Sequence, residues 1–546
     1  MFISNARGPA KRLFNLVTGK AESRGTPSIE EGEAEGSLVM DEATHQVAEI
    51  DGLLDVLDTT RTLIGKETLY RSVTRQAGTV EEIEEKQEAL KELAGDKKLS
   101  LALDKLLRDA AVKEEDYYNF LFAKYTGYMG STDSDKLEFE GYGYSEHRVG
   151  VKLLPELSED AGLLPAPKSE YLKRLLNTLI DFGDKRECKL MEGPVYRCFG
   201  GLKTKEEKGF KPGIKFRPGL IKPILVLMLA LIAGFAPMLF DPAIALHTPL
   251  WMLPFVLLGI YIPSVTSFDQ ETFLYPMAKL FSESDETNSA LDALGRLDEL
   301  LSFQQYGDGF STKVILPEIY SATAHTLELK GARNPILGKK DPDYVPNDIR
   351  LKEERVTFIT GPNSGGKTAL CKTITQIQLL AQIGCYVPAD EASLSIVDGI
   401  YYQTPEVNSL SADVGRFGTE LKHTKKIFMK TTPNSLVVLD ELAEGTTYEE
   451  KLKTSIMILD GFRKLGNSTI LVTHNHELAD HYQKQDIGIF RQVGIEGDVL
   501  THRFVDGISK ISHAHKVAAK IGFTEDDING FLEEKKNREK SASLRS

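Results

Sequence analysis

Eight consecutive residues, Gly361, Pro362, Asn363, Ser364, Gly365, Gly366, Lys367 and Thr368, match the phosphate-loop pattern G-x-x-x-x-G-K-[ST] without a mismatch. Small residues let successive backbone amides converge on phosphate oxygens, and a helix starting behind them adds its dipole. Lys367 has the length to reach β- and γ-phosphates, and Thr368 offers a hydroxyl to Mg²⁺. Further on, Asp440 and Glu441 close the apolar run SLVVL, and His474 closes STILVT. Asp440 suits metal support, Glu441 suits orienting or deprotonating a water, and His474 suits a γ-phosphate contact. A lone Asp-Glu pair is often a solvated surface, and a lone histidine is more often structural. The ordered series of phosphate loop, Asp-Glu and strand-end His points instead to one site. Lys367, Glu441 and His474 are the expected catalytic residues, with Thr368 and Asp440 on the metal. ATP and Mg²⁺ are the expected cofactors, and in-line hydrolysis of the β–γ bond is the expected reaction.

The elements that must position these groups follow an α/β grammar after about residue 310. VTFIT at 356–360 reads as a strand, followed by the glycine-rich turn and a helix starting near Lys367. SLVVLD at 435–440 and STILVTH at 468–474 read as two more strands. Apolar runs of this kind imply a parallel sheet buried on both faces, with functional groups at the strand ends. The remainder is helical. Leucines and other apolar residues recur at helical spacing between 41 and 125, and further helices are expected at 165–182, 283–305 and 511–534.

Size and charge bound the rest. A chain of 546 residues has room for three to five domains, and 41% apolar with 27% charged residues excludes a wholly disordered or fibrous chain. A net charge of −14 excludes a generally basic nucleic-acid coat, while leaving room for a local groove. Cys188, Cys198, Cys371 and Cys385 lack metal-ligand spacing, so no disulfide partner is expected. The N-terminus shows no apolar secretory signal.

The middle of the chain is strongly apolar. Pro223 to Phe240 gives 18 residues without a charge, and Pro242 to Phe268 gives 27 more. Both meet the length of a bilayer span of about 20 residues. A two-helix transmembrane hairpin is therefore expected at 221–240 and 244–265, with a buried helical hairpin as the alternative. Lys215, Arg217 and Lys222 before the first span favour a multi-pass membrane protein with both termini and the α/β domain on the cytoplasmic side, and the lipid bilayer as a partner. The expected organisation is a flexible arm at 1–40, a first helical region at 41–215, the transmembrane hairpin at 216–268, a helical return at 269–324, the α/β domain at 325–525 and a charged tail at 526–546.

Several of these runs resemble one family. FITGPNSGGKTALCKTITQIQLLAQIGCYVPAD at 358–390 is similar to the phosphate-loop region of MutS mismatch-repair proteins, beyond the generic loop through Gly384, Tyr386, Val387, Pro388 and Ala389. LVVLDELAEGTT at 436–447, with Asp440, Glu441, Gly445 and Thr446, resembles that family's Walker B strand and following loop. LVTHNHEL at 471–478, GARNPIL at 331–337 and VPND at 345–348 are also similar to it. More weakly, LDTTRTLIGKETL at 57–69 resembles the start of its helical core. The resemblance implies an ABC-type ATPase, a helical core and lever, and a homodimer with nucleotide between two ATPase domains. DNA is an implied ligand.

The departures carry information too. The signature glycine and serine that address the partner's γ-phosphate fall on Asp413 and Gly415, whereas Phe417 and Glu420 are kept. Ser411 is a candidate hydroxyl if the alignment slips, and His513 to His515 replace a small-residue pattern. With about 40 residues before the helical core, the family's mismatch-reading domain is not expected in this sequence. The apolar pair stands where a DNA clamp would branch from the levers. Lys422, Lys425, Lys426 and Lys430 could meet phosphate, and a solvated helix face explains them as well. Three functions follow: a membrane-tethered ATPase moving helical arms, a mismatch-repair or recombination protein on mismatched or branched DNA, and an ATP-gated membrane scaffold without nucleic acid.

Overall fold

The computed structural model describes residues 38–75, 78–127, 141–218, 228, 232, 253–405, 415–443, 447–497, 499–509 and 521–543. Two compact units emerge. One is formed mainly by Leu54–Arg75 and Glu81–Gly309, the other by Leu38–Leu53, Gln76–Val80 and the chain from Phe310.

The first unit is helical. Its long helix Asp285–Asp308 buries Leu291, Leu294, Leu297, Leu300 and Leu301, and it packs on helices Leu63–Thr74, Lys97–Phe122 and Glu170–Phe182. The start of helix Leu63–Thr74 is held by buried carboxylates. Glu114 accepts from the amides of Leu63 (2.6 Å) and Ile64 (2.9 Å), and Asp298 accepts from the Thr62 amide (2.7 Å) and hydroxyl (2.6 Å). A helix N-terminus presents N–H groups without intrahelical partners, and these two buried acids accept from them. A buried Lys86–Glu299 pair at 3.0 Å ties another helix to the same core.

This unit corrects the expected membrane hairpin. Among the described residues, no helix is long and apolar enough to cross a membrane. Helix Leu253–Asp269 has 17 residues, about 25 Å at 1.5 Å per residue, against a hydrocarbon core of about 30 Å. Pro263 lies inside it, and Ser264, Thr266, Ser267 and Asp269 make its last turns polar. It continues into a π-helical turn, Gln270–Leu274, whose Phe273 and Leu274 are buried, while Asp269 accepts from the Tyr144 hydroxyl at 2.6 Å. Absence of charge over a long stretch is thus not equivalent to one continuous apolar helix. The expected first span lies outside the described residues except for Met228 and Ile232. The transmembrane part of the fold class, the multi-pass membrane localisation and the bilayer as partner are withdrawn with it.

The second unit is the expected α/β domain. Its central sheet comprises β1 (Val356–Thr360), β2 (Gly399–Gln403), β3 (Ser435–Asp440), β4 (Ser468–Val472), β5 (Ile489–Glu496) and β6 (Val499–Asp506), in the order β2-β3-β4-β1-β5-β6. All neighbours pair in parallel except the antiparallel β5–β6 hairpin. β1, β2 and β4 are buried at every position, as strands covered on both faces must be. Helices α1 (Lys367–Gln382), α2 (Gly415–Lys430), α3 (Tyr448–Leu465) and α4 (His476–Gln483) follow β1 to β4 in turn. Val356, Phe358, Val437, Leu439, Leu471, Ile427, Leu459, Phe462 and Tyr482 share one core cluster.

Residues 38–53 complete this unit at the open edge of β2. The Ile400 amide donates to the Val39 carbonyl at 2.7 Å, and the Tyr402 amide donates to the Thr44 hydroxyl at 2.9 Å. Covering an edge satisfies its backbone groups and blocks further strand addition.

Candidate functional site

Strand order explains why residues distant in sequence meet. β3, β4 and β1 are consecutive in the sheet, so their C-terminal ends line one edge. That edge carries Asp440, the Thr473–His474 pair and Gly361 side by side, the position at which open parallel sheets bind ligands.

The loop after β1 makes a short 3₁₀ turn over Asn363–Gly365, then passes through Gly366 at φ +87 before α1 begins at Lys367. Only glycine adopts that left-handed conformation without strain. Gly361, at φ +134, and Gly365 pack against Val493 of β5, and a Cβ on either would stand 2.8 or 2.5 Å from its Cγ2. The loop is therefore held from behind by a neighbouring strand.

Lys367 is 4% exposed, and its Nζ donates to the carbonyls of Gly361 (2.9 Å) and Pro362 (3.0 Å). His474 Nε2 lies 3.4 Å from the same Nζ and 3.5 Å from Glu441 Oε1. Thr368 Oγ1 donates to Asp440 Oδ2 at 3.3 Å. Lys367, His474, Glu441, Thr368 and Asp440 are thus brought together. Burial pushes the Lys367 ammonium below the usual amine range, opposed by Asp440 and Glu441. Burial pushes the Asp440 carboxyl up, opposed by the Thr368 hydrogen bond and Lys367. Removal from water disfavours the ionised form of each group, and a bound triphosphate with a divalent cation would favour both ionised forms.

Glu441 and the nearby Ala443 have φ +60 and +59, although neither is a glycine. The Glu441 amide donates to the Val472 carbonyl at 2.9 Å, tying the loop after β3 to the end of β4. Asn475 caps α4, accepting from the Leu478 amide at 3.1 Å, which fixes the turn that carries His474.

The contacts of some neighbours had no signal in the sequence. Val493 is an ordinary strand valine, and only the sheet order puts it behind the loop. His502, at φ +56, places Nδ1 3.6 Å from where a Cβ on Gly366 would be. Asn347 holds that part of β6, donating to the His502 carbonyl (3.1 Å) and accepting from the Phe504 amide (2.8 Å). The lysines 422, 425, 426 and 430 lie exposed on α2, as a solvated face would. Ser411, Asp413, Gly445, Thr446, His513 and His515 lie outside the described residues, as does the side chain of Gly415's neighbour Arg416.

Residues 357–534, a third of the chain, match the family model described as MutS domain V. The chain is 31% identical over 211 residues to the DNA mismatch repair protein MutS of Haloquadratum walsbyi, covering 38% of this chain and 22% of that protein. It is 40% identical over 167 residues to the human DNA mismatch repair protein Msh3, covering 29% and 15%. With the endonuclease MutS2 of Shouchella clausii it shares 30% over 253 residues, covering 45% and 31%. The chain therefore spans less than a third of the length of these curated relatives. These matches support an ATP-hydrolysing P-loop domain similar to MutS domain V.

Proposed function

We propose that this chain is a MutS-like ATPase that binds mismatched or branched DNA and hydrolyses ATP to ADP and phosphate to rearrange its helical unit. The reading is carried by one observation: the phosphate loop, Asp440–Glu441 and His474 stand on three adjoining strand ends within the matched domain. The relatives' names supply the DNA. A fold alone would not, since one fold hosts many functions.

In this mechanism the amides of Gly361–Gly366 cradle the phosphates. Lys367 leaves the carbonyls of Gly361 and Pro362 for the β- and γ-oxygens, where its charge opposes the developing negative charge. The Thr368 hydroxyl and the Asp440 carboxylate, 3.3 Å apart, form the hard oxygen pair that would hold Mg²⁺. Among the described residues no cluster of three His, Cys, Asp or Glu could hold a metal, and an Mg²⁺ brought by the nucleotide would not require one. When bound, Mg²⁺ neutralises charge on the β- and γ-phosphates. Glu441 orients the attacking water and accepts its proton, and His474, between Glu441 and Lys367, contacts the γ-phosphate.

The proposed assembly is a homodimer through the ATPase domains. The altered signature segment, with Asp413 and Gly415 in place of glycine and serine, then weakens activation across the dimer.

The test is phosphate release by the purified chain alone and with duplex, mismatched and branched DNA over a range of salt. The reading expects stimulation by DNA that vanishes in Lys367→Ala and weakens as salt rises. Turnover indifferent to every DNA, but raised by a co-purifying protein, would overturn the DNA part and leave an ATP-gated scaffold.

A further inference from the structure

We propose that Glu420, on α2, is a positioning residue for Glu441, acting through the loop that follows β3. This rests on the hydrolysis reading above and adds to it the element that aims the water-orienting carboxylate.

The loop needs an anchor. Between Asp440 and Ala443 the backbone enters the left-handed region twice, at Glu441 (φ +60) and Ala443 (φ +59), where side chains are rarely found. Such a conformation persists only where surroundings over-determine it. Two hydrogen bonds do so here. The Glu441 amide is held by the Val472 carbonyl at 2.9 Å, and the Ala443 amide donates to Glu420 Oε1. The second is the stronger type, because its acceptor is a carboxylate. Leu442 and Ala443 are 2% and 1% exposed, so water does not replace a lost acceptor without cost.

Glu420 is itself on a fixed strut. One turn along α2, the Thr424 hydroxyl donates to Gln403 Oε1 of β2 at 3.0 Å, and Ile427 belongs to the core cluster. Lys430 closes the helix, its carbonyl accepting from the Tyr401 hydroxyl at 3.3 Å. The carboxylate is thus delivered to the loop from the sheet by a rigid helix. Glu420 is on α2, whereas the hydrogen bonds given above for Lys367 and Thr368 run to Gly361, Pro362 and Asp440. Its loss should misplace Glu441 relative to His474, now 3.5 Å away, and leave the phosphate loop intact.

The experiment compares kcat, KM and nucleotide affinity, by titration with a fluorescent ATP analogue, in the full chain and in Glu420→Ala and Glu420→Gln. Misplacing a catalytic group by about 1 Å costs roughly 100-fold. Glu420→Ala should lose about 10- to 100-fold in kcat with nucleotide affinity within about 2-fold of the parent. Glu420→Gln, whose amide oxygen can still accept from Ala443, should recover most of the rate. Unchanged kcat in Glu420→Ala overturns the proposal. So does a parallel fall in nucleotide affinity, or a loss in Glu420→Gln as deep as in the alanine variant. Failure of the underlying reading looks different: the parent chain itself releases no phosphate from ATP.

Discussion

Thr368 and Asp440, 72 residues apart in sequence, meet with Oγ1 donating to Oδ2 at 3.3 Å. One lies in the first turn of the helix after β1 and the other ends β3, with β4 between those strands, so the contact reports the register of three strands at once. It also defines where a divalent ion would sit. Asp440→Asn keeps the hydrogen bond's shape and removes the charge. The expected outcome is a fall in turnover of about 100-fold or more and a demand for higher Mg²⁺, with Mg²⁺-free ATP binding unchanged. Phosphate release titrated with Mg²⁺ checks this, and a parent-like curve would remove Asp440 from the metal.

Lys367 supplies a prediction about protons. Burial disfavours its ammonium form in the free protein, whereas bound phosphates favour it. Nucleotide binding therefore takes up protons at alkaline pH, and affinity falls as pH rises through the free-state value. Calorimetry in two buffers of different ionisation heat measures the uptake, which should be absent in Lys367→Met. Equal uptake in both proteins would point to another group.

The glycines of the loop separate two kinds of cost. Gly365→Ala places its Cβ nearest to the Val493 side chain, while Gly361→Ala meets the same side chain and sits at φ +134. Overpacking and backbone strain each cost about 1–3 kcal/mol. Val493→Ala should rescue nucleotide binding in Gly365→Ala and fail to do so in Gly361→Ala. Equal rescue of both would show that backbone conformation is not limiting at Gly361.

The helical unit has its own pH signature. Burial pushes Glu114 up to about 7 from an ordinary 4.5 and Asp298 up to about 6 from 3.8. Folded-state values above the unfolded ones mean that the folded state holds more protons across this window. Stability contributed by the protonated acids is then present at low pH and lost as pH rises through about 6 to 7. Urea unfolding from pH 5 to pH 8 should show decreasing stability, with a flatter slope in Glu114→Gln. An unchanged slope would contradict this assignment.

Much of the site was legible because its residues belong to short runs of distinctive chemistry. GPNSGGKT, the acids after SLVVL and the histidine after STILVT are each recognisable, and the buried parallel strands follow from their apolar composition. What could not be read is what arises between elements. Val493 behind Gly365 is a common residue type in unremarkable surroundings, and although Asn347 and Glu420 lie in runs that resemble the family, nothing in those runs tells that one holds β6 at His502 and the other the Ala443 amide. The apolar middle misled for a related reason. Composition counts charges along a run, but a span also requires one unbroken helix, and Leu253–Asp269 carries an internal proline and ends on a polar turn beside Tyr144.

The most direct test of the central claim is single-turnover phosphate release by the parent chain and by Glu441→Gln, with retained nucleotide measured in parallel. The account predicts that the parent converts bound ATP to ADP, while Glu441→Gln holds ATP with similar affinity and converts it at least about 100-fold more slowly. Equal conversion by both proteins would contradict the role given to Glu441 and the hydrolytic geometry built around it.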